Sequence, residues 1–277
     1  MARKLIAVVS DIHAGSTVAI CPPRITLDDG GAYEASAAQR WLWGLWTDFW
    51  AWVDTERRGD ELFIAFNGDM VDGDHHGTAQ ILSRNPTAQA EVLEQCLAVP
   101  LALNPDALFC VRGTESHVGK SASAEERTAK RWRDGGLPVH GDPDTGTASW
   151  WHLRMEVEGL LIDFAHHGRT GYRPWTRPNA SNLLAMQIFT EHALAGERAP
   201  DLAVRSHFHR YMESARAGCP TRVVQTAAWQ LATGYVHKVA PESLADIGGL
   251  LIEIEDGQYT IRPRIHAPSR GAIWTAA

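Results

Sequence analysis

The sequence predicts an α/β fold of mixed β-sheet flanked by α-helices, and three observations predict it. Short apolar runs alternate with helical stretches through the first half of the chain. In the second half, strand-like runs meet at Glu158-Gly159 and Asp256-Gly257, which marks hairpins. Five of the apolar runs end in a polar burst rich in His and acidic residues. Alternation followed by hairpins gives one mixed sheet, or two stacked sheets, with helices outside. The 277 residues fit one large domain or two small ones. No repeat, low-complexity tract or linker divides them, so a single domain over residues 1–277 is expected.

The elements follow in order. Leu5–Val9 reads as a buried strand, left through an irregular stretch holding Pro22, Pro23, Gly30 and Gly31. From about Glu34 to Arg57 apolar residues recur at helical spacing, with Trp41, Leu45, Phe49 and Trp52 as the stripe and Leu42, Trp46, Trp50 and Val53 beside it. Five tryptophans on one helix invite a binding-surface reading, but core packing with a partly covered face is the expectation. Glu61–Phe66 and Ala107–Val111 are further strands. Thr87–Leu103 between them is a helix that Pro100 should kink or end. Ser123–Trp132 is a charged helix, and Trp151–Val157 with Leu160–Ala165 a hairpin. Asn182–Gly196 is a helix, and Leu202–Arg205, Arg222–Thr226, Leu250–Glu255 and Tyr259–Ile265 are strands.

Composition narrows the function classes. With 26 Lys plus Arg against 33 Asp plus Glu, the net charge is −7. That balance argues against a protein whose affinity comes from blanketing nucleic-acid phosphates. A nuclease stays open, because metals and a few arginines can make a local positive patch on an acidic body. The four cysteines (Cys21, Cys96, Cys110, Cys219) form no C-x-x-C pair and read as free thiols. The apolar stretch within Met1–Ser10 is too short for export or for a bilayer, so a cytoplasmic location without membrane attachment is expected.

Chemistry is carried by the five bursts. They are Ser10-Asp11-Ile12-His13, Asn67-Gly68-Asp69-Met70-Val71-Asp72-Gly73, Arg112-Gly113-Thr114-Glu115-Ser116-His117, Ala165-His166-His167-Gly168 and Ser206-His207-Phe208-His209. Strand ends along one sheet edge are where α/β folds assemble sites. In Asp-x-His and His-x-His, residues two apart in an extended segment point the same way and can reach one ion. Each burst alone is weak, since Gly-Asp-x-x-Asp-Gly is more often a turn and a strand-end His is usually a surface residue. Five in this order are hard to obtain by chance.

In that order the chain resembles the calcineurin-like metallophosphoesterase superfamily, whose motifs run D-x-H, G-D-x-x-D-G, G-N-H-[DE], H-G and G-H-x-H; the matches span Asp11 to His209. The resemblance implies a metallophosphoesterase-type β-sandwich of mixed sheets flanked by α-helices, holding two divalent metal ions bridged by one carboxylate. Carried over by position, Asp11, His13, Asp69 and His209 hold one ion. Asp69 bridges to the second, which His167 and His207 also bind. A mixed imidazole–carboxylate set suits manganese, with iron, zinc, nickel or cobalt as alternatives.

Three departures stand out. Thr114 stands where the family has a ligating Asn, leaving Glu115 as an alternative ligand and His117 as the catalytic proton donor or a ligand. Both His166 and His167 are available in the fourth motif, and His167, beside Gly168, matches better. Ser206 replaces a usual Gly, which bears on backbone geometry more than on ligation. Asp72 supports the loop, whereas His75 and His76 face the cleft or a solvated turn.

The implied reaction is hydrolysis of a phosphate ester by metal-bridged hydroxide. Arg112, Arg169 and Arg173 are the candidate phosphate grips, the last two in a basic loop that also holds Arg177 and where Tyr172 and Trp175 could stack a base. Pro174 and Pro178 are read there as breaking any helix. A phosphodiesterase or nuclease, with a nucleic acid or nucleotide as partner, is the leading reading. A phosphomonoesterase acting on a metabolite or phosphoprotein, and a non-catalytic scaffold, are the alternatives. His209 is followed by Arg210 and Tyr211, which breaks H-x-H-x-D-H, and neither H-E-x-x-H nor a P-loop occurs.

Overall fold

The computed structural model describes residues 3–271 and 275, other than 28, 76, 172 and 216. In chain order the elements are β1 (Lys4–Val9), a ribbon of β2 (Arg24–Thr26) and β3 (Ala32–Glu34), α1 (Ala37–Arg57), β4 (Glu61–Asn67), α2 (Pro86–Leu101), β5 (Ala107–Val111), α3 (Glu115–Val118), α4 (Ser123–Asp134), β6 (Leu153–Val157) and β7 (Leu160–His167). They continue through α5 (Arg177–Ala195), β8 (Leu202–Ser206), β9 (Met212–Glu213), β10 (Arg222–Gln225), α6 (Gly234–Val239), β11 (Ile247–Glu255) and β12 (Gln258–His266).

Two five-stranded mixed sheets result. The first has the order β12-β11-β1-β4-β5, with β1, β4 and β5 parallel and β11 and β12 antiparallel. The second has the order β6-β7-β8-β10-β9, with β7, β8 and β10 parallel. Glu158 and Gly159, and likewise Asp256 and Gly257, all take positive φ in the two-residue turns that close the hairpins.

Strand parity sorts the core. Ile6, Val8, Leu250 and Ile252 face Ile162, Phe164, Val204 and Val224 across the space between the sheets. Leu5, Ala7, Val9, Ile64 and Phe66 point the other way, against α1 and α2. Leu184, Ala185 and Ile188 of α5 cover Ala203 and Val223 on the outside of the second sheet. The layers are therefore helix, sheet, sheet, helix, as the sequence predicts.

Some local expectations shift. On α1 the buried face is Leu42, Trp46, Trp50 and Val53, the set expected only to flank the stripe, together with Phe49 of the stripe itself. Trp46 fixes this rotation by donating its indole N–H to Cys96 O at 3.0 Å. Trp41 is part-exposed, and Trp52 lies under the guanidiniums of Arg262 and Arg264. Helix α5 starts five residues earlier than expected, because Pro178 sits in its first turn, where a missing N–H costs nothing.

Asp163 and Arg205, both buried, pair at 2.6 Å across β7 and β8, with His152 on the other carboxylate oxygen. Burial alone would raise the Asp163 carboxyl, but His152 and Arg205 outweigh it and hold it below the usual carboxylate range. A depressed acid contributes stability above its unfolded pKa of about 3.9 and loses it as pH falls through the lowered value. Asp163→Ala strands a buried guanidinium, so it should cost about 3–5 kcal/mol and lower Tm by roughly 10 °C. Calorimetric melting checks this; a Tm within about 1 °C of the parent contradicts it.

Candidate metal centre

The parallel run of β1, β4 and β5 brings three of the five polar loops to one rim. Backbone bonds then lock the loops together. Asp11 N–H donates to Gly68 O and His13 N–H to Asp69 O, both at 3.0 Å. Asp72 N–H returns to Ala14 O, and Trp229 N–H reaches Asp11 O. From the second sheet, His207 N–H donates to Asp11 Oδ2 at 3.2 Å.

Strain is concentrated here. Asp11, His13, Asp69, His207 and His209 all have φ between 48° and 79°. Such left-handed backbone costs a non-glycine residue on the order of 1–3 kcal/mol and persists where the surroundings over-determine it. Gly68 shows how tight the packing is, since a Cβ there would overlap the His166 ring.

The side chains gather into clusters in which every potential donor atom lies within 4.8 Å of the others. One holds Asp11, His13 and His209; another holds Asp69, His166 and His207. In the first, His209 Nε2 is 3.3 Å from Asp11 Oδ1 and 3.2 Å from His13 Nε2. In the second, His166 Nε2 is 3.0 Å from Asp69 Oδ2, and His207 Nδ1 is 4.0 Å from the same oxygen. Asp11 Oδ1 is also 3.9 Å from His166 Nε2, so this oxygen spans the two clusters.

The donor chemistry fits cations. Asp11 Oδ1 is fully buried and accepts no hydrogen bond among the described residues. Carboxylate oxygens and imidazole nitrogens converge on it, an arrangement that costs free energy unless positive charge sits among them. Burial would raise the Asp11 carboxyl, but His166 and His209 hold it well below the usual range; His166 and His13 do the same for Asp69. Burial and His166 push His207 down to about 4, leaving it neutral and ready to ligate. Against its burial, the Asp69 and Asp11 charges raise His166 to about 10.

That last shift makes a prediction. Ligation needs a neutral imidazole, so a cation at Asp69–His166–His207 displaces about one proton at pH 7, and affinity should rise with pH below that point. Titrating Mn²⁺ calorimetrically in buffers of different ionisation heat reads the proton directly; metal uptake with no proton released contradicts it.

The remaining candidate residues are placed as follows. His167 is exposed, with Nε2 3.3 Å from Thr114 Oγ1. Thr114 sits in the register of the missing Asn, its N–H donating to Asp69 Oδ1 at 2.6 Å and its hydroxyl 3.2 Å from His207 Nδ1. Glu115 is exposed and accepts Ser121 N–H at 3.1 Å; it lies in none of the clusters. The His117 Nδ1–H donates to Asp72 O at 2.8 Å, and its ring stands edge-on to His13 and His75. Asp72 Oδ1 lies 3.2 Å from His13 Nδ1 and accepts from Gln230 at 3.1 Å, supporting the loop from behind. The Ser206 hydroxyl accepts from Asn67 Nδ2 at 2.6 Å, tying the two sheets at the rim.

Arg112 is buried, donates to Ser149 and Glu126 and lies against Trp151. Arg169 lines a recess of about 410 Å³ with Leu183 and Phe208, beside the site. Arg173 is exposed, and Trp175 is 77% exposed. Tyr172 and His76 lie outside the described residues. A larger cavity, of about 990 Å³, opens over His13, Asp69, Thr114, His117, His207 and His209 and is also lined by Arg177 and Arg210.

One contributor was expected in a loop and another was not expected at all. Arg177 reaches this cavity from the first turn of α5. Glu125 of α4 is fully buried and accepts N–H from Met70 at 3.3 Å and Gly113 at 2.6 Å, clamping the second and third loops. Its signal was present: Glu125 shares a helical face with Thr128, Ala129 and Trp132.

No protein-family model and no curated protein matches the chain. Solved structures do. Vacuolar Protein Sorting 29 from Cryptosporidium parvum aligns at a TM-score of 0.45 and 10% identity, over 97% of this chain and 100% of that one. The Entamoeba histolytica Vps29 complexed with Zn²⁺ gives 0.41 and 10%, over 95% and 98%. A metallophosphoesterase from Sphaerobacter thermophilus gives 0.36 and 10%, over 94% and 88%. Two facing mixed sheets, helices on both outer faces and polar loops gathered at one rim give this chain a four-layered α/β sandwich.

Proposed function

We propose that this chain is a two-metal phosphoesterase that cleaves phosphodiesters. The observation that carries the reading is that two of the three ligand clusters adjoin, with Asp11 Oδ1 of the first 3.9 Å from His166 Nε2 of the second. Asp11, His13 and His209 would hold one divalent ion, and Asp69, His166 and His207 the other, with manganese the first choice. When bound, such ions supply a nucleophile at neutral pH and neutralise charge on the phosphoryl oxygens.

The chain's own groups handle position and protons. Burial and neighbouring His13 push His117 down to about 4, so it is neutral at pH 7. Its Nδ1–H is committed to Asp72 O, which leaves the Nε2 lone pair free. Nε2 can take up a proton from solvent in the cavity and deliver it to the departing ester oxygen, with the nearby Asp72 carboxylate favouring the charged state in between. The cavity continues past the ligand clusters, which leaves room for the second arm of a diester.

The test loads the purified chain with Mn²⁺ and compares bis(para-nitrophenyl) phosphate with para-nitrophenyl phosphate, then single-stranded DNA. Faster turnover of the diester supports the reading; preference for the monoester would replace it with a phosphomonoesterase. A non-catalytic scaffold is the second reading, favoured by Thr114 in the Asn register and by Glu115 turned toward Ser121. Turnover of neither ester by protein carrying two ions establishes the scaffold instead.

A further inference from the structure

The large cavity has an apolar far wall that no step of the proposed chemistry uses. Leu231, Tyr235, Val236 and Leu244 form it, and Phe208 faces in from the ligand loop. Tyr235 is 72% exposed, so its ring is open to a molecule entering the cavity.

This wall is built in. Leu231 N–H donates to Val18 O at 2.9 Å, and the preceding Gln230 donates to the Asp72 carboxylate at 3.1 Å. Gly234 N–H reaches Gln80 Oε1 at 2.6 Å, where Thr233 caps α6. At the other end Arg210 Nη2 holds Ser243 Oγ at 2.8 Å, and Asp246 N–H donates to His209 O at 2.9 Å. The wall is therefore bonded to the same loops that carry Asp72 and His209, so its place relative to the ligand clusters is fixed.

Charge in the cavity is one-sided. Arg177 and Arg210 are its cationic side chains, and Asp69 is its one carboxylate among the described lining residues. Arg210 is partly neutralised by Asp246 at 3.5 Å, whereas Arg177 has no carboxylate within ion-pair distance among the described residues. A volume of about 990 Å³ matches the upper range for pockets that take one small organic molecule, roughly 300–1,000 Å³. A polymer-binding track would need a run of cations following the backbone, and two arginines do not make one.

Resting on the phosphoesterase reading, we infer that the substrate is a small phosphodiester anion with one apolar arm, aromatic or branched, seated on the Leu231–Leu244 wall. A cationic arm of the choline type is disfavoured by Arg177 and Arg210. The substrate class is thus set by the segment between β10 and β11, which the metal-binding motifs do not include.

The test uses the Mn²⁺-loaded full chain and three diesters with one leaving group: phenyl, methyl and choline esters of para-nitrophenyl phosphate. The expected order of kcat/KM is phenyl above methyl by roughly ten-fold or more, with choline lowest. Tyr235→Ala, at an exposed position that cannot disturb the core, and Leu231→Ser should each shrink the phenyl-to-methyl ratio, mainly through KM. Arg177→Gln should narrow the gap between methyl and choline. Turnover of phenyl and methyl esters at equal kcat/KM, or a short single-stranded DNA outcompeting both, overturns the inference and leaves the phosphoesterase reading standing. Turnover of none of the three overturns that reading. Calorimetric binding then decides the wall by itself: diphenyl phosphate binding no tighter than dimethyl phosphate overturns the inference too.

Discussion

Asp69→Asn is expected to cut turnover of bis(para-nitrophenyl) phosphate at least about a thousand-fold while leaving the fold intact. The substitution keeps the side-chain volume, and the amide oxygen can still accept Thr114 N–H, now at 2.6 Å. What it removes is the anionic oxygen that faces His166 and His207. An amide nitrogen turned to that side brings its own protons and cannot ligate. The ion held there should be lost and the other weakened, because the clusters adjoin through Asp11. Steady-state kinetics with circular dichroism as the fold control checks this, and full retained activity contradicts it.

His166→Ala should cost at least about a hundred-fold in turnover, whereas His167→Ala should stay within about three-fold. Family position favours His167, but the structure orients the pair differently. His166 is buried with Nε2 on Asp69, and its Nδ1–H donates to Asn67 O at 2.7 Å, which fixes the tautomer that leaves Nε2 for a cation. His167 is exposed and touches Thr114. The reverse ranking of the two variants would move the second ion to His167.

The difference between these neighbours explains how far the sequence could be read. The convergence of Asp11, His13, Asp69, His207 and His209 was legible because each is a chemically distinctive residue at the end of an apolar run, and parallel strands bring such ends together. Choosing between His166 and His167 needs the direction of one strand end. The pairing of β7 with β8 shifts register between Phe164 and His167, and nothing in residue spacing reveals such an irregularity.

Glu125 was overlooked, despite sharing a helical face with Thr128, Ala129 and Trp132, for another reason. It acts from a helix outside the motifs, by accepting backbone N–H groups, and a carboxylate among Glu126, Arg127 and Lys130 reads as a solvated face. Arg177 was expected in a loop rather than at the start of α5 because of Pro178, a residue that ends helices in their interior but starts them in the first turn. Arg112 was misleading in the opposite sense, since its position beside the third motif suggested phosphate while its guanidinium is taken up by Ser149, Glu126 and Trp151. The apolar wall from Leu231 to Leu244 carries no charged signature and becomes visible only when folding sets it across from the ligand clusters.

On the proposed reading, side chains from four of the five loops gather around two adjoining cations. Diffraction from crystals grown with Mn²⁺, measured at the manganese absorption edge, tests it most directly. Two anomalous peaks per chain are predicted, one touching Asp11, His13 and His209 and the other Asp69, His166 and His207. No peak at these side chains, in protein whose loops are folded as described, would contradict it.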